Sequence, residues 1–316
     1  MTLPAFLVTP PPDAAVSITA GHVAGARLAW RGAQASVVVH ALEPLPDGAV
    51  VPALAALNIS ELAPVSAAIA RVLGAIGRPR RVGLVLPDAV GKISLMRFEQ
   101  IPAREADLAE LVRWQVKKAA PFPIEQAVVG YTSGAPLPDG GREFVVTAAR
   151  ADVVAQYEQA CLDAGARAGL VDLATPSVIN SVLAAPGAAV GDWLLVHLAA
   201  SSTSLVVVRD GHVIFYRNRA EGAEGTLADL VHQTAMYYED RLSGRGFTRV
   251  LLSGAAIVPG GGEALRRNLQ ARLGLDVEAV DPRGAASLTD RIGASGELTD
   301  ALAPLVGLLV RERKAA

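Results

Sequence analysis

The sequence predicts an α/β protein built from two related lobes around a cleft. Three observations predict this fold. Short apolar runs of strand length alternate with longer segments whose apolar residues recur every three or four positions, as in amphipathic helices. A layout of strand, small-residue turn, strand, glycine-containing turn and strand occurs twice, at Val16–Leu42 and Leu194–Arg217. The length of 316 residues suits about two domains, at ~150 residues each.

Composition limits the class of protein. Hydrophobic residues make up 51% of the chain, but no apolar run reaches the ~18–20 residues that span a bilayer. The first residues lack a basic segment ahead of an apolar one, so no secretory signal is expected. The 29 basic and 31 acidic side chains nearly cancel, which argues against nucleic acid as the main partner. A single cysteine, Cys161, excludes an internal disulfide, and we expect a soluble cytosolic protein.

The first repeat follows an extended tail, predicted over residues 1–15. Three consecutive prolines at 10–12 remove backbone donors, so no helix or central strand crosses them. Strand alternation begins at Val16, and Arg31-Gly32 separates two β-rich runs as in a hairpin. Apolar residues at helical spacing then predict a helix over Glu61–Ile76.

The middle of the chain alternates strands and helices. A Pro-aromatic-Pro stop at 121–123 ends one helix, and Gly165 suits the C-terminal cap of the next. The predicted elements are, in order, strands Arg81–Leu86 and Ile93–Phe98, helix Arg104–Ala119, strands Ala127–Thr132 and Glu143–Ala148, and helix Asp152–Ala164.

The second repeat has the clearest local signals. Asp210-Gly211 between two β-rich runs predicts a tight hairpin, and Thr226 with Asp229 resembles a capping box at a helix start. The predicted elements are strand Leu194–Leu198, hairpin Ser204–Arg209 with His212–Tyr216, a helix from Thr226 to Leu242, strand Val250–Ser253, helix Glu263–Leu273, strand Asp276–Val280 and helix Ala301–Arg311.

The two repeats also share small residues after their first strands. Aligning them pairs Thr19 with His197, and Gly21 with Ala199. Tight turns of small residues beside a cleft can bring backbone N–H groups to a phosphate. The alternative is that they are hairpin turns and nothing more, and local sequence favours this alternative because such turns lack a specific signature.

Short motifs follow one another in a characteristic order along almost the whole chain. They are Glu43-Pro-Leu-Pro46, Val82–Pro87, Ala119-Ala-Pro-Phe-Pro123, Val146–Arg150, Arg209-Asp-Gly211, Leu251–Gly254 and Ala303–Arg311. In order and spacing this series resembles the actin-like ATPase superfamily and, within it, the PilM family of type IV pilus assembly proteins. The resemblance covers about Val16 to Arg311.

The resemblance implies an actin-like fold related to FtsA. Two lobes with duplicated RNase H-like cores would flank a nucleotide cleft, with a strand–helix–strand–strand unit (an SHS2 insert) in the first lobe. The implied divisions are a tail at 1–15, a first lobe at 16–81 and 170–190, an insert at 82–169, a second lobe at 191–300 and a closing helix at 301–316.

The resemblance also implies partners. Members of this family bind the N-terminal cytoplasmic peptide of a PilN-like membrane protein, in a groove beside the insert. That contact would tie the protein to the pilus assembly platform and its motor proteins, in the cytoplasm and peripheral to the inner membrane, with no direct insertion. The cytoplasmic L component of a type II secretion system is the nearest alternative.

The chain departs from the superfamily at the cleft. The superfamily has an Asp at the end of the first strand of each lobe, which holds Mg²⁺ directly or through water. At the matching positions stand Thr19 and His197, and neither supplies an anionic oxygen. Ala199 replaces the glycine of one phosphate turn. We therefore expect a pseudo-ATPase in which hydrolysis is weak or lost, with no catalytic residue and no metal site.

A degenerate site still offers backbone donors and hydroxyl groups for ATP without a metal. The residues that would hold the nucleotide are Thr19, Gly21, His22, His197, Ala200, Ser201, Ser202, Thr203, Gly254 and Ala255. Two alternatives to this interpretation stay open, one an active enzyme and the other a polymerising division factor. An active ATPase or sugar kinase would need a general base and the strand-end Asp residues. An FtsA-like division factor would need an amphipathic membrane anchor.

Three side chains have a structural interpretation beside a functional one. His197 suits a hydrogen-bonded, half-buried residue at a strand end as well as a ligand. Cys161 is expected to be buried and inert, because no nearby cation would lower its thiol pKa. Trp114 would either pack in the core or anchor a partner.

Overall fold

Three β-sheets organise the chain in the computed structural model, which describes residues 11–315 apart from 139, 189, 223–224, 259–261 and 290–294. In that part of the chain the strands are β1 (Ala14–Ile18), β2 (His22–Arg31), β3 (Gln34–Pro44), β4 (Arg81–Leu86), β5 (Gly91–Phe98), β6 (Ala127–Pro136), β7 (Arg142–Arg150), β8 (Arg167–Leu173), β9 (Asp192–Ala199), β10 (Ser202–Arg209), β11 (His212–Ala220), β12 (Arg249–Ser253), β13 (Val277–Ala279) and β14 (Ala286–Leu288). The helices are α1 (Leu62–Ala75), α2 (Glu105–Lys117), α3 (Ala151–Asp163), α4 (Ala174–Ala184), α5 (Leu227–Leu242), α6 (Glu263–Leu273) and α7 (Gly296–Ala315).

The first lobe is a six-stranded sheet in the order β14-β3-β2-β1-β4-β8. Its centre, β1, alternates between two cores, since successive side chains of a strand point to opposite faces. Val16 and Ile18 join the core beneath α1 and α3, whereas Ala15 joins the core beneath α7. Helices therefore cover both faces of the sheet, and its first strand is fully buried.

The second lobe is a five-stranded sheet in the order β11-β10-β9-β12-β13. Asp210 and Gly211 have φ values of 48° and 80°, as an Asp-Gly hairpin turn requires. The predicted capping box is confirmed, because Thr226 accepts the Asp229 N–H while the Asp229 carboxylate accepts the Thr226 N–H. Helices α5 and α6 cover the outer face of this sheet, and α4 covers the inner face.

Helices α4 and α7 lie side by side between the two sheets. Gly307 of α7 faces Ser177 and Ser181 of α4, and a Cβ at Gly307 would overlap the carbonyl oxygen of Ser177. A glycine is therefore what allows the two helix backbones to approach so closely. The lobes share this central helix pair as a common layer.

A third sheet, in the order β5-β7-β6, forms a separate unit with α2 on one face. The sequence-based division places 82–169 in this unit. In the structure β4 pairs with β1 and β8 in the six-stranded sheet, and α3 packs with α1 against the same core. The separate unit is thus confined to about Gly91–Arg150, with the element order strand, helix, strand, strand.

Several elements differ from the sequence-based assignment. Strand β1 begins at Ala14, inside the predicted tail, and residues 1–10 lie outside the described part of the chain. Strand β8 and helix α4 have no predicted counterpart; the buried residues of α4 include Thr175, Ser177 and Ser181, and these polar residues weaken its apolar pattern. Strand β14 joins the first-lobe sheet although it follows the second lobe in sequence.

The last helix is longer than predicted. It begins at Gly296 and contains Pro304 in its interior, whereas the apolar pattern predicts a start at Ala301. In the described part of the chain no helix is both long and apolar enough to cross a membrane.

Candidate functional site

A cleft of about 330 Å³ opens between the lobes at the ends of β1, β4, β9 and β12. Ligand sites of open α/β sheets lie at such strand ends. Its walls are mainly apolar, and its polar lining residues are Ser17, Thr19, His22, His197, Ser201, Glu297 and Asp300. Neither lysine nor arginine is among the described residues that line it.

The turn between β1 and β2 satisfies its own polar groups. The Thr19 hydroxyl donates to the carbonyl oxygen of His22 at 3.0 Å and accepts the N–H of His22 at 3.0 Å. The Thr19 N–H donates to the same carbonyl at 2.9 Å. Gly21 is exposed, with open space where a Cβ would lie. The Thr19 side chain is thus engaged in closing the turn.

Strand register corrects the alignment of the two repeats by two residues. Ile18 pairs with Val23 across the first turn, and Leu198 pairs with Thr203 across the second. Both turns then contain two residues, 20–21 and 200–201. The structural counterpart of His197 is therefore Ser17, and the counterpart of Thr19 is Ala199. The sequence alignment misplaced the pair because small residues on either side of the turn offer no marker of register.

A buried carboxylate that the sequence analysis missed lies beneath the cleft. Asp88 follows β4 and is 1% exposed. It accepts the N–H of Thr175 at 2.9 Å, the Thr175 hydroxyl, and the Ser204 hydroxyl at 3.2 Å. These contacts join the first lobe, the start of α4 and strand β10. An Asp directly after a buried strand was the signal that would have indicated this residue.

Further polar groups extend this network into the second lobe. Asn218 donates to the Ser204 hydroxyl at 2.9 Å, and the Tyr216 hydroxyl lies 3.3 Å from it. Burial raises the pKa of Tyr216 well above its usual value, and the nearby charge of Asp88 adds to the effect. Tyr216 therefore stays a neutral phenol.

His197 lines the cleft but is largely buried. Its side chain is 9% exposed, and Nε2 lies 3.9 Å from an Asp88 carboxylate oxygen. Ser253 pairs with His197 in the sheet, and among the described residues neither the Nδ1 atom of His197 nor the Ser253 hydroxyl has a hydrogen-bond partner. The second-lobe strand end thus carries unsatisfied polar groups, in contrast to the closed first-lobe turn.

Seven of the ten predicted nucleotide-site residues line the cleft together. They are Thr19, Gly21, His22, His197, Ala200, Ser201 and Gly254. The other three lie elsewhere. Ser202 is buried in β10, Thr203 pairs with Leu198 in the sheet, and Ala255 packs against the second-lobe core.

Two acidic residues of α7 also line the cleft, and the sequence analysis missed both. Asp300 accepts the N–H of Gly254 at 2.7 Å and the N–H of Ala256 at 3.0 Å. Glu297 lies one turn earlier on the helix and close to His22. Burial lowers the pKa of His22 from its usual 6.5, and Glu297 opposes this shift. His22 is therefore neutral at neutral pH and supplies no positive charge to the cleft.

The residues present do not fit a bound Mg²⁺. This cation takes oxygen ligands, carboxylates above all. The strand-end positions carry Ser17 and His197, and the carboxylate of Asp88 is committed to Thr175 and Ser204. Within the described ranges, no group of three or more His, Cys, Asp or Glu side chains is placed to hold a metal ion.

The predictions for the two remaining residues, Cys161 and Trp114, can also be compared with the structure. Cys161 is buried, as predicted, and burial raises its thiol pKa to about 12. Trp114 does not pack in the core. Its side chain belongs to an exposed face of α2, where the residue is 57% exposed and the Lys118 ammonium lies 3.4 Å from the ring centre.

Comparison with known proteins gives both fold and family. The profile of the type IV pilus assembly protein PilM matches residues 16–245. No curated protein matches the chain in sequence. A chain of the PilM–PilN type IV pilus biogenesis complex is similar in structure, with a TM-score of 0.80 and 20% identity over 96% of this chain and 99% of that one.

Two further solved structures are similar. A Bacteroides thetaiotaomicron protein with an actin-like ATPase fold has a TM-score of 0.50 and 10% identity, over 92% and 94% of the two chains. The cytoplasmic domain of EpsL, from the type II secretion system of Vibrio cholerae, has a TM-score of 0.48 and 12% identity, over 96% and 94%. The fold is thus actin-like, as predicted. Because the PilM profile covers most of the chain, the protein belongs to the PilM family of type IV pilus assembly proteins.

Proposed function

We propose that the protein is a non-hydrolysing scaffold of the inner-membrane platform that assembles a type IV pilus. It would lie on the cytoplasmic side and bind the N-terminal peptide of a PilN-like membrane protein. Family membership supports the pilus role, and the similar structure was solved as a PilM–PilN complex. The single observation that carries the non-enzymatic part is the pair Ser17 and His197 at the two strand ends of the cleft.

Phosphoryl transfer needs positive charge, which the described lining residues of this cleft do not supply. In ATPases a metal ion neutralises the charge that develops on the phosphate oxygens. Here the strand ends hold no carboxylate for a metal, His22 is neutral, and Glu297 and Asp300 add negative charge. These carboxylates would repel a triphosphate, and no metal ion would neutralise its charge. We therefore expect no turnover of ATP.

The three-stranded sheet offers a surface for an apolar peptide. On the face opposite α2, Ile93 and Ala149 are buried against the first lobe. Farther out on the same face, Leu95 and Val145 are half-buried and Val128 is 51% exposed. We call these five residues the junction face. An extended peptide with apolar side chains would cover the outer part of this face at the boundary between the sheet and the first lobe.

Peptide binding tests the partner proposal. Fluorescence anisotropy with a labelled N-terminal peptide of a PilN-like protein should give saturable binding to the full chain. Val128→Glu should weaken it by about tenfold or more, because a charge would be buried under the peptide. Met236→Glu, at a residue 50% exposed on α5 of the second lobe, is the matched control and should leave the affinity unchanged. Absence of binding to the unaltered chain would refute the partner assignment.

Calorimetry and a phosphate-release assay test the non-enzymatic part. We expect no ATP turnover and no gain in ATP affinity when Mg²⁺ is added. An affinity that improves with Mg²⁺, or measurable turnover, would show that the strand-end substitutions are compensated by other residues.

A further inference from the structure

A carboxylate of the protein itself, Asp300, lies in the lining of the cleft. Asp300 accepts two backbone N–H groups of one loop, from Gly254 through one oxygen and from Ala256 through the other. Hydrogen bonds to an ionised acceptor are about twice as strong as neutral ones. One side chain therefore accepts hydrogen bonds from two neighbouring backbone N–H groups in the lining of the cleft.

The loop is shaped to present those donors. Gly254 follows β12 with a φ of 78°, and a Cβ there would overlap the carbonyl oxygen of Leu198. Both the left-handed backbone and the close approach to β9 require glycine. The loop consequently turns sharply at the strand end and directs the two N–H groups toward α7.

Asp300 lies on α7, in the helix layer that the lobes share, whereas its loop belongs to the second lobe. Helix α7 packs on the first-lobe sheet through residues such as Leu305 and Leu309. The loop continues β12 of the second-lobe sheet. The two hydrogen bonds thus tie the shared helix layer to the loop that follows β12.

Neighbouring backbone N–H groups at a strand end form a site for an anion. An external anion would have to displace Asp300, whose attachment to α7 gives it a high effective concentration at the loop. Glu297, which lines the same cleft, adds a second negative charge against any incoming anion.

We propose that Asp300 is a built-in ligand of the cleft. It occupies a two-donor anion site on the second lobe and keeps that site filled without an external nucleotide. Once freed, the site would take a small oxyanion such as the phosphate group of pyrophosphate. This inference rests on the proposed non-hydrolysing cleft but not on the peptide partner.

Hydrogen exchange and calorimetry on the full chain test the proposal. In Asp300→Ala, amide exchange of Gly254 and Ala256 should rise by about tenfold or more, because both N–H groups lose their acceptor. Pyrophosphate without Mg²⁺ should bind this variant about tenfold or more tightly than the unaltered chain. Asp300→Asn keeps one acceptor oxygen and should fall between the two.

Glu297→Gln is the matched control, because it removes the same charge from the same helix and cleft without freeing the loop. Its exchange at Gly254 and Ala256 should equal that of the unaltered chain. Unchanged exchange in Asp300→Ala, or an equal rise in Glu297→Gln, would overturn the proposal, as would increased exchange with no gain in pyrophosphate binding. Thermal melting and PilN-peptide binding of each variant report on folding and on the partner proposal separately.

Discussion

The β1–β2–β3 unit of the first lobe and the β9–β10–β11 unit of the second have the same topology but different chemistry at the cleft. In the first, Ser17 lies next to the last residue of β1, and the hydroxyl of Thr19 closes the following turn through hydrogen bonds to the backbone of His22. In the second, His197 lies two residues before the end of β9, and its Nδ1 has no hydrogen-bond partner among the described residues. The neighbouring Ser204 donates instead to Asp88 of the other lobe.

This difference separates what the fold requires from what a site requires. Both units keep the nearly continuous apolar run that buries their first strand on two faces. The polar residues at the strand ends are under no such constraint, so one lobe has a self-contained turn and the other takes part in a network between lobes. Substitutions in the shared helix layer, in the network between the lobes and in the first-lobe turn should therefore reduce stability to different extents.

The largest effect should come from the layer that both lobes share. Gly307→Ala would force the Cβ into the carbonyl oxygen of Ser177, and two helix backbones cannot both yield. We expect a loss of about 4 kcal/mol in the free energy of unfolding, measured by urea denaturation. Gly74→Ala in α1, where a Cβ meets open space, is the control and should be neutral or slightly stabilising. Equal effects of the two would show that α4 and α7 do not approach as described.

Breaking the network between the lobes should lower the free energy of unfolding by less than Gly307→Ala does. Asp88→Ala leaves the Thr175 N–H, the Thr175 hydroxyl and the Ser204 hydroxyl without their buried acceptor, and we expect a loss of about 3 kcal/mol. Asp281→Ala, which removes an exposed carboxylate from a pair with Arg283, should cost under about 1 kcal/mol. A loss at Asp88 as small as the one at Asp281 would refute the role of Asp88 in joining the lobes.

A substitution in the first-lobe turn should lower stability by less than Asp88→Ala does. Thr19→Ala removes two hydrogen bonds in a partly exposed turn, and we expect a loss of about 1 kcal/mol by thermal or chemical denaturation. Ser201→Ala at the equivalent turn of the second lobe should change stability by less than about 0.5 kcal/mol. The reverse order would mean that the second turn, not the first, closes on itself.

The smallest effect concerns pH. The pKa of His22 is lowered by burial in the folded chain, so the unfolded chain binds a proton first as the pH falls. Its contribution to stability is therefore complete above the unfolded pKa of 6.5 and decreases below that value. Between about pH 7.5 and about pH 5.5, His22→Gln should lose about 0.5 kcal/mol less stability than the unaltered chain. An identical pH dependence in the two would show that His22 is protonated as readily in the folded state.

Much of the fold follows from local patterns. The Asp210-Gly211 hairpin, the Thr226 capping box and helix α6 occur where the residues predict them. Strand β8 and helix α4 were not predicted, because α4 also buries the polar residues Thr175, Ser177 and Ser181, which local patterns assign to the surface. The unit around the three-stranded sheet is smaller than predicted because β4 is paired on both sides in the first-lobe sheet.

The candidate site was only partly predictable. Seven of its predicted residues line the cleft, since they follow buried strands whose ends meet. Asp88 was missed although it follows a buried strand, and Glu297 and Asp300 were missed because nothing local distinguishes an acid that will face a cleft from one that will face solvent. The two-residue error that paired Thr19 with His197 has a similar origin, since register depends on hydrogen bonds to a partner strand.

The chain's residue order is enough to specify two repeats, their strands and turns, and the absence of carboxylates at the first-strand ends, because each of these depends on neighbours within a few positions. Folding decides the rest. It brings Asp88 to Ser204 across 116 residues and Asp300 to Gly254 across 46. Such contacts depend on how sheets and helices pack, and packing depends on the shapes of surfaces that distant segments build together.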